Sequence, residues 1–86
     1  MYYIYVLYSE KHLKSYVGFS SDVHRRLKEH NNKKSNYTAK FAPWILIHKE
    51  QYETLDEVIK REKYLKSSAG RRWMKKNIKW PRSSTG

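Results

Sequence analysis

The run Tyr2-Tyr3-Ile4-Tyr5-Val6-Leu7-Tyr8 constrains this chain most, because all seven of its residues are aromatic, β-branched or leucine. Such residues favour an extended, pleated backbone, and apolar side chains at consecutive positions suit a strand covered on both faces. The chain has 86 residues, which is room for one domain, because a chain of this size buries only about 60% of its unfolded surface. A multi-domain enzyme is excluded, and the reading is one domain over residues 1–80 with a flexible tail at 81–86.

The segment after the first strand is polar and turn-like through Lys14, and Ser15-Tyr16-Val17-Gly18 then resumes strand character. This predicts a β-hairpin with a loop longer than two residues and a second strand ended by Gly18. Ser20, Ser21 and Asp22 are good N-cap residues for a helix over 23–31. Residues 32–41 are polar and predict a loop. Trp44-Ile45-Leu46-Ile47-His48 predicts a third strand, expected to be central because it too is apolar at consecutive positions. A second helix is expected over 55–66. Ser67-Ser68-Ala69-Gly70 interrupts it before a short third helix over 71–78, stopped ahead of Pro81.

Charge narrows the partners. Nineteen Lys and Arg oppose eight Asp and Glu, a formal +11, and residues 60–82 hold ten of the cations with Glu62 as their one acid. With Trp73 and Trp80 interleaved, this stretch suits phosphate contact by cations and stacking of bases on rings. Lys63, Lys66, Arg71 and Arg72 are the candidate contacts. The plainer alternative is a solvated face over core tryptophans, and for Trp73 core packing is expected. Cysteine is absent, which removes disulfides, thiolate zinc sites and cysteine nucleophiles and fits a reducing, cytoplasmic setting. No apolar run approaches the roughly 20 residues that span a bilayer.

Two helices carry polar residues where apolar ones belong. On the first, Leu27 falls about 40° from Val23 and defines the buried face, Arg26 and His30 lie beside it, and Arg25, Lys28 and Glu29 point to solvent. An inward Arg and His one turn apart either anchor and polarise a phosphate or are a rim arginine and a satisfied core histidine. On the second helix, Leu55, Val58, Ile59 and Leu65 form a stripe with Glu62 in its middle. A carboxylate there must pair with a cation, Arg26 being the plain choice, or meet a metal, or open onto a cleft. With only two Asp in the chain, a multi-acid two-metal site is excluded as a design. One carboxylate suits magnesium, which keeps most of its waters.

Tyr3-Ile4-Tyr5, ten residues, Tyr16-Val17-Gly18, and then Asp22 through Asn31 resemble the GIY-YIG nuclease superfamily. Thr38, Pro43-Trp44 and residues 60–66 resemble its small stand-alone, single-domain branch, so the likeness covers about residues 2–79. It implies an α+β fold, a three-stranded antiparallel sheet flanked by helices in the order β-β-α-β-α-α. It also implies magnesium- or manganese-assisted hydrolysis of phosphodiesters in DNA, branched or damaged DNA being one such substrate. Carried over by position, Tyr5 and Tyr16 are the two motif tyrosines, with Gly18 closing the second motif beside the substrate. Arg26 is the catalytic arginine, His30 a site position one turn on, and Glu62 the metal ligand. Tyr16 is the expected base, although a tyrosine that ordinarily titrates near 10 needs neighbouring positive charge for that role.

Two residues depart from the pattern. Tyr3 stands where the first motif is named for glycine, and Phe19 stands where some relatives place a polar or basic residue. With no specificity domain, cutting is expected to be weakly selective or directed by a protein partner. The competing readings are a non-catalytic nucleic-acid-binding module on the same scaffold and an adaptor that binds protein through a Trp44 or Trp80 patch.

Overall fold

The computed structural model describes residues 1–32, 38 and 40–81. Its elements are β1 (Tyr2–Ser9), β2 (Lys14–Ser20), α1 (Val23–Asn31), β3 (Ile45–Tyr52), α2 (Leu55–Lys66) and α3 (Ser68–Asn77). The class is α+β in the expected order. Most of the expected 32–41 loop and the tail after Pro81 lie outside the described residues.

The sheet is antiparallel with strand order β2-β1-β3, so β1 is the central strand. The expected central place of the third strand is wrong. β3 is an edge whose Ile45 is 40% exposed, and its second half alternates in burial as a half-covered strand does. Its apolar run misleads because the register slips between Val6 and Leu7, pairing Val6 with His48 and Leu7 with Leu46. That bulge lets Ile47 and His48 both reach toward one face. β1 is apolar at every position because its neighbours cover both faces. Ile4 and Val6 join Val17, Val58, Leu65, Met74 and Ile78 on the face under α2 and α3, and Tyr5 and Leu7 join Val23 and Trp44 on the face under α1.

The hairpin loop spans residues 10–13, as its polar sequence predicts, and places Leu13 at φ 55. β2 continues through Gly18 to Ser20, with Gly18 paired to Tyr5, which corrects the expectation that Gly18 ends it. α1 is capped by Asp22, whose side chain accepts from the Arg25 amide at 3.1 Å. α2 begins with a reciprocal capping box between Thr54 and Glu57. Ser67 alone joins α2 to α3, as C-cap of one and N-cap of the other. Gly70, read as part of a break, lies inside α3, because a Cβ there would stand 1.9 Å from the Tyr64 carbonyl oxygen. The glycine lets the two helix backbones meet.

Candidate active site

Tyr5 is the hub of the α1 face. Its ring crosses β2 over Gly18, where a Cβ would come within 2.7 Å of the Tyr5 hydroxyl and 3.0 Å of the Tyr16 ring. Glycine at 18 is therefore the condition for that hydroxyl to reach the β2 edge. The hydroxyl meets His30 Nε2 at 3.1 Å, and His30 Nδ1 meets the Thr38 hydroxyl at 2.7 Å. Tyr5 and His30 are each 1% exposed. Burial, with the Arg26 cation beside it, holds His30 below the usual histidine range, so the ring is neutral and carries one N–H between its two partners. Thr38 is itself held, its carbonyl accepting from Trp44 Nε1 at 2.8 Å, while the Asn31 side chain pairs with the Trp44 backbone.

The inward placement of Arg26 and His30 is as the helical wheel predicts. Arg26 stands beside the Tyr5 hydroxyl, and that hydroxyl, with Glu29, keeps the guanidinium firmly charged against the effect of burial. Glu29, expected in solvent, pairs with Arg26 at 2.5 Å. Glu62 is 20% exposed and pairs with Lys66 at 3.3 Å, so its cation is Lys66 and not the expected Arg26. Glu62 still belongs to the same electrostatic neighbourhood. Burial raises the Tyr5 hydroxyl above the usual phenol value, Arg26 pulls it down, and the charges of Tyr16 and Glu62 push it up again.

Tyr16 is half-buried, with its ring centroid 5.1 Å from that of His30 and 6.3 Å from that of Tyr5. It lines a recess of about 250 Å³ with Ser15, Lys66 and Arg71. Arg71 and Arg72 line a larger neighbouring groove. Lys63 is exposed and lines neither recess. The structure thus gathers Tyr5, Tyr16, Gly18, Arg26 and His30 and leaves Lys63 apart, while Glu62 touches Lys66 and acts on the group only as the weakest of the influences on the Tyr5 hydroxyl. Trp44 is 2% exposed, which removes it as an adaptor surface. The His30–Thr38 contact joins residues eight apart and is made only in the fold, whereas the Arg26–Glu29 pair follows ordinary i,i+3 helical spacing.

Among the described residues no three His, Asp or Glu cluster as a metal cage, and none of their helices is long and apolar enough to cross a membrane. A lone hard carboxylate with an exposed lysine as its partner fits a hydrated divalent ion that takes its other ligands from water and substrate phosphate.

Residues 1–77 match the GIY-YIG catalytic domain family. A UPF0213 protein of Syntrophus aciditrophicus (strain SB) is 39% identical over 67 residues, 74% of this chain and 75% of that relative. A UPF0213 protein of Staphylococcus aureus (strain Mu3) is 38% identical over 53 residues, 60% of this chain and 65% of that relative, so here the match spans just under two thirds of the relative's length. No solved structure matches the chain. With its two motif tyrosines packed over Gly18 and nearly its whole length matched, the chain belongs to the GIY-YIG family of the nuclease superfamily.

Proposed function

We propose that the protein is a divalent-metal-dependent endonuclease that hydrolyses phosphodiester bonds in DNA, branched or damaged DNA being one such substrate. The observation that carries this reading is the gathering of Tyr16, Arg26 and His30 about a Tyr5 hydroxyl seated over Gly18. In the reaction a water oxygen bonds to phosphorus, the bond to the leaving sugar oxygen breaks, and a proton passes from the water to a base and from solvent to the leaving oxygen. Tyr16, which lines the recess with Lys66 and Arg71, is the base, acting as the phenolate after its own proton has passed to solvent. Tyr5 stays protonated at neutral pH because burial raises it, so it orients its neighbours and takes no proton. His30, tethered by Thr38, fixes that hydroxyl. Arg26 offers its fork of donors to the charge that develops on the phosphate oxygens. Glu62 would hold Mg2+ or Mn2+, which when bound supplies positive charge to those same oxygens.

The test is cleavage of labelled DNA and RNA single strands, flaps and junctions with either metal, beside Glu62→Gln. We expect metal-dependent products on DNA, reduced at least about 100-fold in the variant, with binding and melting temperature retained. A fully active Glu62→Gln protein overturns the metal role. A second reading, the non-catalytic nucleic-acid-binding module, draws on the Arg26 charge already engaged by Glu29. It expects salt-sensitive binding with every strand intact.

A further inference from the structure

The β1–β2 hairpin and α3 enclose a groove of about 800 Å³ that the chemistry at Tyr5 and Tyr16 does not use. Lys14, Arg71, Arg72 and Lys75 line it, and no carboxylate does among the described residues. Its apolar wall is Tyr8, Met74 and Trp80, with Trp80 packed edge-on against Tyr8 at 5.4 Å. At the rim stands Leu13, 59% exposed and held at φ 55. A leucine in the left-handed region is strained, and an exposed one gains little from the core in return. Such strain at a rim points to a side chain kept for something that enters the groove.

Cations alone would suit any polyanion, and an apolar wall alone any hydrophobe. The two together suit a strand that presents phosphates and bare base faces at once. A duplex hides its base faces in the stack, whereas an unpaired strand exposes them. The groove also has a neighbour. Ser15 and Arg71 line both it and the smaller recess lined by Tyr16 and Lys66, so the groove adjoins the recess of the candidate base.

We propose that this groove binds an unpaired stretch of nucleic acid leading to the scissile phosphate. A base lies between Leu13 and the wall formed by Tyr8, Met74 and Trp80, and Lys14, Arg71, Arg72 and Lys75 hold the phosphates. The direction of the strand toward Tyr16 rests on the nuclease reading above, and the binding chemistry of the groove stands without it.

The test is fluorescence anisotropy of a labelled DNA single strand and of its blunt duplex, in EDTA so that nothing is cut. The wild-type protein is expected to bind the single strand about tenfold more tightly than the duplex. Arg72→Glu with Lys75→Glu is expected to weaken single-strand binding about tenfold or more, and Lys76→Glu with Lys79→Glu, an equal charge change outside the groove, threefold at most. Leu13→Gly relieves the strained backbone and removes the side chain, so it is expected to weaken single-strand binding about threefold with the melting temperature unchanged or higher. Equal losses in the two double variants, or a duplex bound as tightly as the single strand, overturn the groove. Cleavage that persists alongside those results leaves the nuclease standing and removes the groove alone. Groove binding as expected, with no cleavage under either metal, removes the nuclease and keeps the groove.

Discussion

Two polar clusters flank the central strand, and they are built to opposite specifications. Toward α2 and α3, Glu50 of β3 is saturated. Arg61 Nε and Nη2 donate to it at 2.9 and 3.0 Å, the Tyr52 hydroxyl donates at 2.7 Å, and His48 Nε2 lies 2.7 Å away. Arg61 is in turn stacked over Trp73 at 4.4 Å. Toward α1, Arg26 has its ion pair with Glu29 beside the Tyr5 hydroxyl, and Glu62 of α2, whose charge also acts on that hydroxyl, has one half-exposed lysine. The first cluster uses its hydrogen-bonding capacity inside the protein and can only stabilise. The second keeps capacity in hand, and a phosphate or a metal is what such unused charge can take. A buried polar group therefore signals function only when its partners leave something over.

The largest expected effect tests the closed cluster. Burial on its own would raise the Glu50 carboxyl, but the Arg61 fork first, then His48 and Tyr52, hold it from the usual 4.5 down to about 2. A carboxyl depressed in the folded state contributes stability that is fully present above pH 4.5 and is lost as pH falls toward 2, an effect of about 3 kcal/mol. Urea unfolding of the wild type and of Glu50→Gln should differ by about that much at pH 7, and the gap should close as pH is lowered below 4.5. Cleavage per folded molecule should stay unchanged in Glu50→Gln. A variant of normal stability but low activity would put the closed cluster inside the site and end the contrast.

The next test sets two glycines against each other. At Gly70 an added Cβ meets the Tyr64 carbonyl and the Leu65 Cα at 1.9 and 2.5 Å. Backbone cannot swing aside, so Gly70→Ala should cost about 1–3 kcal/mol as α2 and α3 are forced apart. At Gly18 the nearest atom is the Tyr5 hydroxyl at 2.7 Å, the far end of a side chain. Gly18→Ala should therefore cost less than Gly70→Ala, about 1 kcal/mol, while moving the hydroxyl out of place, lowering cleavage about tenfold or more. Melting curves and turnover measured on both variants should separate the two. A Gly18→Ala protein that melts as early as Gly70→Ala would make Gly18 a packing position and no more.

What can be read from the residues alone follows the same division. β1 is legible because two-sided burial leaves an unbroken apolar run, and the α1 wheel places Arg26 and His30 inward, where they lie. The Glu62 anomaly is legible as a misplaced carboxylate, and its partner is legible too, because Lys66 stands four residues on along the same helix, whereas Arg26 could be reached only across the fold. The centre of the sheet is misread because a bulge in β3 mimics two-sided burial over 44–48. The start of α3 is misread because Gly70 answers to a neighbouring backbone and not to its own helix. The Thr38 contact with His30 and the Arg61 fork on Glu50 depend on side chains from other elements, which one-dimensional periodicity does not register, while the Arg26–Glu29 pair sits at i,i+3 on one helix and is within its reach.

The smallest expected effect asks whether the open cluster is open. Arg26 must give its donors to a phosphate, and in the free protein Glu29 holds one of them at 2.5 Å, so carboxylate and substrate compete for the same fork. Both side chains are partly exposed, at 36% and 27%, where an ion pair adds little to stability. Glu29→Gln should therefore leave the melting temperature within about a degree or two and lower KM about two- to threefold, with kcat unchanged. In an Arg26→Ala background the same substitution should do nothing, since the competition it relieves is gone, and that non-additivity is the signature sought. If Glu29→Gln instead lowered kcat tenfold at constant KM, Glu29 would act in the transition state. The α1 cluster would then be no more available to an arriving substrate than the saturated Glu50 cluster is.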